Sequence, residues 1–90
     1  MIMQSRIFYS GTVQGIGFRY TVQRFASSLK LTGWVKNLSD GRVEILVEGN
    51  QEDIEKLMNQ IAEKFQGYIK NKEFSSAPAS GKFKDFQITF

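Results

Sequence analysis

The chain of 90 residues is short enough to form one domain, residues 1–90, around one hydrophobic core. It contains no cysteine and no histidine, which excludes disulfides, Ser-His and Cys-His catalytic pairs, and the commonest metal ligand. The net charge of +3 favours anionic ligands, but it is too small for the basic surface that nucleic-acid-binding proteins usually carry.

The sequence shows no targeting segment and no membrane-spanning segment. Residues 1–6 lack the apolar run of a signal peptide, and no stretch reaches the roughly 18 consecutive apolar residues of a membrane span. We therefore expect a cytoplasmic protein with no membrane partner. The small net charge predicts no nucleic-acid partner. A chain this short needs no partner subunit in principle, so we expect a monomer.

The first half of the chain predicts a strand, a helix and a second strand. Loose alternation predicts the first strand at residues 3–9, and a glycine loop, residues 11–19, follows it. Helical spacing then places one set of apolar residues on a single face: Phe18, Val22, Phe25, Ala26 and Leu29. The second strand is predicted at residues 33–37, and the dipeptide Asp40-Gly41 is typical of a hairpin turn.

The hairpin leads into a third strand and a second helix. The third strand, residues 42–48, alternates between polar side chains and an apolar face, which comprises Val43, Ile45 and Val47. We expect Glu44 and Glu48, on the polar side, to be solvated. Asn50 is a suitable N-cap for the second helix. The buried stripe of that helix is predicted to comprise Ile54, Leu57, Met58, Ile61, Ala62 and Phe65.

The last quarter of the chain predicts two further strands. Gly67 is a natural end for the second helix, and a weak pattern predicts a fourth strand at residues 68–74. A polar loop, residues 75–81, contains the single proline. Clear alternation predicts the final strand at residues 86–90. The phenylalanines assigned to the core are Phe18, Phe25, Phe65, Phe86 and Phe90.

This order, β-α-β-β-α-β plus a final strand, predicts an α+β fold. It corresponds to a ferredoxin-like α/β sandwich, with an antiparallel sheet and two helices on one face. A helix joins the first two strands, so they should run parallel with another strand between them. Their carboxyl ends then meet at one edge of the sheet. By analogy with open α/β sheets, where ligands bind beyond such ends, Arg19 and Asn37 are expected at a shared site.

The glycine loop is a candidate anion site. Its three glycines allow backbone amides to turn inward, and the following helix presents its free N-terminal amides to the same point. Arg19 adds a planar guanidinium that is always charged. The loop lacks the lysine and Ser/Thr of a nucleotide-binding P-loop. A glycine-rich turn beside a surface arginine is the alternative interpretation.

Asn37 can donate to an anion and accept a hydrogen bond from water at once, although a simple turn asparagine is the common alternative. No general acid is evident beside it, so an enzyme built this way needs a leaving group that departs without protonation. The carboxylate of an acyl phosphate is such a group. Water held by Asn37 is then the nucleophile, and its proton can pass to a phosphoryl oxygen.

Two long motifs make the sequence resemble the acylphosphatase family. Residues 11–19, GTVQGIGFR, match the first signature of that family, and residues 33–44, GWVKNLSDGRVE, match the second. With the order of elements, the resemblance covers nearly the whole chain. It implies a ferredoxin-like α/β sandwich and a hydrolase that acts on acyl phosphates, which are small molecules, without a metal or another cofactor.

The resemblance also implies the roles of individual residues. Arg19 binds the phosphate and Asn37 positions the attacking water, which makes these two the catalytic residues. The substrate-binding residues are those whose backbone amides cradle the phosphoryl oxygens, together with the arginine itself: Gln14, Gly15, Ile16, Gly17, Phe18 and Arg19. The physiological acyl phosphate is not implied.

The sequence departs from the family pattern after each helix. Lys30 stands where glycine usually follows the first helix, and a left-handed lysine there costs about 1 kcal/mol relative to glycine. Residues 66–82 match the pattern weakly, which leaves the bounds of the fourth strand open.

Two other functions stay open at this point. One is a module that holds anions or carbamoyl-phosphate-like groups within a larger enzyme, which the absence of a fusion partner in this chain disfavours. The other is an RNA-binding sheet. Residues 33–37 lack the aromatic spacing of an RNA-binding motif, which disfavours that function as well.

Overall fold

The computed structural model describes residues 2–90. Met1 lies outside them; it belongs to the N-terminal segment in which no signal peptide is expected. Five strands and two helices follow one another in the predicted order. The strands are β1 (Ile2–Gly11), β2 (Thr32–Asn37), β3 (Val43–Asn50), β4 (Ile69–Pro78) and β5 (Phe86–Ile88). The helices are α1 (Phe18–Ser28) and α2 (Gln51–Lys64).

The five strands form a sheet in the order β4-β1-β3-β2-β5. β3 pairs antiparallel with both β1 and β2, so β1 and β2 run parallel with β3 between them, as the crossover rule predicts. β4 pairs antiparallel with β1, and β5 pairs parallel with β2. The predicted ferredoxin-like α+β class is confirmed, with a parallel pair at the β5 edge.

Both helices pack on one face of the sheet and bury their apolar stripes there. Phe18 lies in the middle of this core, because its ring centroid is 5.4 Å from that of Tyr9 and 4.6 Å from that of Phe65. Phe25 is partly buried against the core. Ala62, predicted in the stripe of α2, is exposed, because one residue beyond Ile61 turns it about 100° away from the buried face.

The face of the sheet that points away from the helices, called here the outer face, is more buried than expected. The prediction that Glu44 and Glu48 are solvated is wrong, since their exposed fractions are only 7% and 4%. Glu48 accepts hydrogen bonds from the amides of Ser80 and Gly81 at 2.8 and 3.0 Å, because the segment after β4 folds over it. Gln4 Nε2 donates to the same carboxylate at 2.8 Å. The cations that pair with Glu44 are Arg6 and Lys36.

The fourth strand is longer than predicted. β4 continues past Phe74 because its pairing with β1 runs on until Met3 lies opposite Pro78. Its side chains are exposed along almost the whole strand, so the alternation that would reveal its length is absent. The polar loop therefore spans residues 79–85 instead of 75–81.

The final strand is shorter than predicted, since β5 ends at Ile88. The prediction that Phe90 lies in the core is wrong, because its side chain is 95% exposed. β5 pairs with β2 as far as Ile88 opposite Val35, and the Thr89 amide donates to the Val35 carbonyl at 2.9 Å. Residue 90 lies beyond the last of these pairs, so the strand no longer directs its side chain into the core.

The ends of the helices agree only partly with the sequence patterns. Lys30 has a φ of 59°, so this lysine does adopt the left-handed conformation that usually belongs to glycine. Asn50 occupies the N-cap position of α2, but its side chain makes no capping hydrogen bond. Glu52 and Asp53 complement the helix dipole in the first turn instead. Neither α1 nor α2, the helices of residues 2–90, is long and apolar enough to cross a bilayer.

Candidate active site

Arg19 and Asn37 lie at the same edge of the sheet. Arg19 is the second residue of α1, and Asn37 is the last residue of β2. Both residues line a cavity of about 220 Å³. The other residues that line it are Val13, Gly15, Gly17, Phe18, Tyr20, Ile88 and Phe90. The fold thus brings together the two predicted catalytic residues and three of the predicted substrate-binding residues of the glycine loop.

Two left-handed glycines give the loop its path around the cavity. Gly15 has a φ of 78° and Gly17 a φ of 80°, a region that other residues rarely adopt. A Cβ atom at either position would meet nothing within 4 Å, so the backbone conformation, and not lack of space, requires glycine there. Gly17 is the N-cap of α1, and its carbonyl accepts from the Thr21 amide at 3.0 Å. The free amides of the first helical turn therefore begin at the cavity.

The charged groups at the cavity are positive. Arg19 is the one charged residue among those that line it, all of which lie within residues 2–90, and no acidic residue occupies the first turn of α1. The N-terminus of α1 adds its own partial positive charge. The Phe90 ring lies over the Arg19 guanidinium, with 5.0 Å between Cζ and the ring centroid. This arrangement favours an anionic ligand.

Asn37 carries a buried oxygen that has no protein partner. Its side-chain Oδ1 is shielded from solvent, and no donor within residues 2–90 forms a hydrogen bond with it. The second such atom in this part of the chain is the Tyr9 hydroxyl, where burial raises the pKa of the phenol. Burying an unpaired acceptor costs about 1–3 kcal/mol. Asn37 itself lines the cavity, although this oxygen is closed to solvent.

The side chains of Gln14 and Ile16 point away from the cavity, which neither residue lines. Gln14 Nε2 donates to the carbonyls of Leu38 and Arg42 at 2.8 and 2.9 Å, and Ile16 packs against the hydrophobic core. Phe18 is buried, so only its backbone can serve a ligand. The binding of phosphate by these backbone amides stays a prediction.

Comparison with known proteins identifies the family. The family model for acylphosphatase matches residues 5–88. The chain belongs to the acylphosphatase family. An acylphosphatase from Paenarthrobacter aurescens (strain TC1) is 39% identical over 80 residues, which cover 88% of this chain and 85% of that protein. The crystal structure of acylphosphatase from Bacillus subtilis has a TM-score of 0.91 and 36% identity, covering 98% of this chain and 99% of that chain.

Part of a larger protein has the same fold. HypF from T. kodakarensis matches with a TM-score of 0.82 and 36% identity over 96% of this chain, which corresponds to 12% of HypF. The family and fold predicted from the two sequence motifs are confirmed. As an acylphosphatase, the protein hydrolyses acyl phosphates.

Four residues at the acylphosphatase cavity are absent from the sequence-based prediction: Val13, Tyr20, Ile88 and Phe90. Ile88 and Phe90 could have been placed at the cavity if the direction of β5 had been inferred. Because β5 runs parallel to β2, its carboxyl end reaches the same edge of the sheet as Asn37. Tyr20 follows Arg19 directly, and no pattern in the sequence distinguishes it from other exposed residues of α1.

Proposed function

We propose that this acylphosphatase holds the phosphoryl group with Arg19 and the backbone amides of residues 14–19, while Asn37 positions the attacking water. The observation that carries the proposal is the position of Asn37, which lies at the carboxyl end of β2 and borders the same cavity as Arg19. A water that donates to the side-chain oxygen of Asn37 keeps a lone pair free to attack phosphorus.

The proposed reaction needs no protonated leaving group. The water oxygen bonds to phosphorus, the bond between phosphorus and the acyl oxygen breaks, and its electron pair leaves with the carboxylate. The water proton passes to a phosphoryl oxygen, so the products are a carboxylate and dihydrogen phosphate. Arg19 and the loop amides stabilise the charge on the phosphoryl oxygens, which is the main task in phosphoryl transfer. No step of this route uses a metal ion, so we propose metal-independent hydrolysis.

The size and lining of the cavity suit a small substrate. Its volume of about 220 Å³ is below the roughly 300–1,000 Å³ of pockets for drug-sized ligands. Ile88 and Phe90 give it an apolar side, which we propose contacts the acyl group. A shallow apolar contact of this kind favours broad specificity over recognition of one acyl group.

We also propose that residues 1–90 form a single domain that acts as a monomer in the cytoplasm. The described residues share one hydrophobic core, which supports the single domain. Analytical ultracentrifugation at the concentration used for activity assays tests the monomer, and a sedimenting species of twice the chain mass would refute it.

Two arginines of α1 test the proposed site. Arg19→Ala is expected to lower kcat/KM for benzoyl phosphate by at least about 10³, because the permanent positive charge at the phosphoryl group is lost. Arg24→Ala is the matched control, since Arg24 carries the same charge on the same helix but is exposed and stacks on Tyr20, 6.0 Å from its ring centroid. Folded Arg19→Ala enzyme with the rate of Arg24→Ala would refute the assignment.

The metal-independent route has a separate test. Wild-type turnover of benzoyl phosphate is expected to be the same with and without excess chelator. Loss of turnover with chelator, restored by a divalent cation, would refute this route while leaving the Arg19 comparison intact.

A further inference from the structure

Gln14 joins the two halves of the proposed site through its side chain. We propose that Gln14 is a positioning residue, which keeps the glycine loop and Asn37 at the separation that the reaction needs. This inference rests on the proposed role of Asn37. It concerns the side chain of Gln14, and it is independent of whether the Gln14 backbone amide binds phosphate.

The side-chain nitrogen of Gln14 bridges the base of the turn between β2 and β3, residues 38–42. An amide nitrogen has two N–H donors, and both are used here: one bond goes to the Leu38 carbonyl at 2.8 Å and the other to the Arg42 carbonyl at 2.9 Å. The Leu38 amide also donates to the Arg42 carbonyl, at 2.8 Å. Gln14 is therefore fixed to both ends of the turn, and its amide plane cannot rotate without losing a bond.

These bonds lie next to both functional groups. Gln14 precedes Gly15 of the loop, and Leu38 follows Asn37, so each of these two residues is the direct chain neighbour of a residue that lines the cavity. The sheet cannot provide the same connection, because β3 lies between β1 and β2. Among the backbone hydrogen bonds of residues 2–90, none joins the loop at residues 12–17 to the turn at residues 38–42.

The two left-handed glycines of the loop lack a restraint of their own. Gly15 and Gly17 have no side chains that could hold the loop, and a Cβ atom at either would find no neighbour within 4 Å. Arg19 and the loop amides fix the phosphorus atom, whereas Asn37 fixes the water. Displacement of one half by about 1 Å is enough to lower a rate on the order of 10²-fold. A change in Gln14 should therefore affect turnover more than phosphate binding.

The experiment uses Gln14→Met, which keeps the length of the side chain and removes both donors. We expect kcat for benzoyl phosphate to fall by about 10- to 100-fold, while the inhibition constant of inorganic phosphate changes by less than about 3-fold. Gln4→Met is the matched control, because Gln4 also donates one side-chain hydrogen bond, to Glu48 on the outer face, and its loss should leave kcat unchanged. Thermal melts establish that each variant is folded in the assay; Gln14→Ala serves the same test if Gln14→Met does not fold.

The decisive measurement repeats Gln14→Met in the Asn37→Ala background. If Gln14 acts through Asn37, the second substitution changes kcat by less than about 2-fold there, since the group that it positions is gone. An equal loss of kcat in both backgrounds would overturn the proposal, and so would an unchanged kcat for folded Gln14→Met. Asn37→Ala by itself tests the proposed function, because undiminished kcat in that single variant would refute the role of Asn37 whatever Gln14 does.

Discussion

Replacing Asn37 by alanine should remove most of the turnover while leaving the fold as stable as before. The side chain is half-buried at the end of β2, and its Oδ1 has no hydrogen-bond donor within residues 2–90. If that oxygen orients the attacking water, its loss removes one positioned hydrogen bond from the transition state. Loss of one such group lowers kcat by about 10²–10³, which corresponds to about 2.7–4 kcal/mol.

Although Asn37→Ala should lower kcat, it should not lower the free energy of unfolding. Removing a buried acceptor that lacks a partner relieves about 1–3 kcal/mol. Loss of the packing of a small half-buried side chain offsets about 1 kcal/mol of that gain. The free energy of unfolding of Asn37→Ala should therefore equal that of the wild type or exceed it by up to about 2 kcal/mol. For a chain of 90 residues, 1 kcal/mol corresponds to about 5 °C in Tm.

The measurements are kcat at saturating benzoyl phosphate and Tm from circular dichroism. Tyr9→Phe is the matched control, because the Tyr9 hydroxyl is the second unpartnered buried atom in the described chain but lies outside the cavity. It should raise Tm or leave it unchanged, with full kcat. A fall of more than about 5 °C in Tm for Asn37→Ala would show that Asn37 has stabilising partners, and an unchanged kcat would refute its role.

Three further substitutions test features away from the reacting atoms. Lys30→Gly removes the steric cost of the left-handed conformation and should raise the free energy of unfolding by about 0.5–1 kcal/mol in urea denaturation. Lys30→Ala keeps a Cβ atom and should bring no gain. Equal effects of the two substitutions would contradict the backbone explanation. Burial alone would raise the pKa of the Glu48 carboxyl, but the hydrogen bonds it accepts outweigh burial and hold that pKa below its ordinary value of 4.5. Its ionised form therefore stabilises the fold above that pH and the stability is lost as the pH falls further, so Glu48→Gln should flatten the decline of the urea midpoint below about pH 5; an unchanged slope would refute this. Phe90→Ala should leave Tm unchanged, because the ring is 95% exposed, yet raise KM for benzoyl phosphate by about 2- to 5-fold through loss of its contact with the Arg19 guanidinium; an unchanged KM would show that the ring does not contribute to the site.

The part of the site formed by Arg19 and Asn37 could be predicted because it follows from the order of the elements. A helix between two strands makes them parallel, and parallel strands place their carboxyl ends at one edge. The loop before α1 and the last residue of β2 must then meet, whatever the other side chains do. This argument needs only local patterns, which the first 50 residues display clearly.

The outer face could not be predicted, since its burial depends on a distant part of the chain. Alternation along β3 shows that Glu44 and Glu48 point away from the helices, but it does not show what covers them. The cover of Glu48 comes from Ser80 and Gly81, beyond the irregular β4. A strand that is exposed on both faces gives no periodicity, so neither its end nor the position of the following loop could be inferred.

Two further details depend on contacts that no sequence period records. Phe90 continues the alternation of β5, but pairing with β2 stops before it, and its ring lies over Arg19 instead. Gln14 belongs to a motif that indicates an anion site, which predicts a role for its backbone amide but none for its side chain. The side chain binds the β2–β3 turn, and this contact depends on how the fold places the two segments.

The position of β1 in the sheet has a consequence for synthesis of the chain. β1 is made first, yet both of its neighbours come from later segments, and its pairing with β4 sets Met3 opposite Pro78. Such a high contact order predicts folding in milliseconds to seconds, not microseconds. At a translation rate of about 5–20 residues per second, Pro78 is made about 4–15 s after Met3. For that interval the edge of the nascent β1 that pairs with β4 is without its native partner.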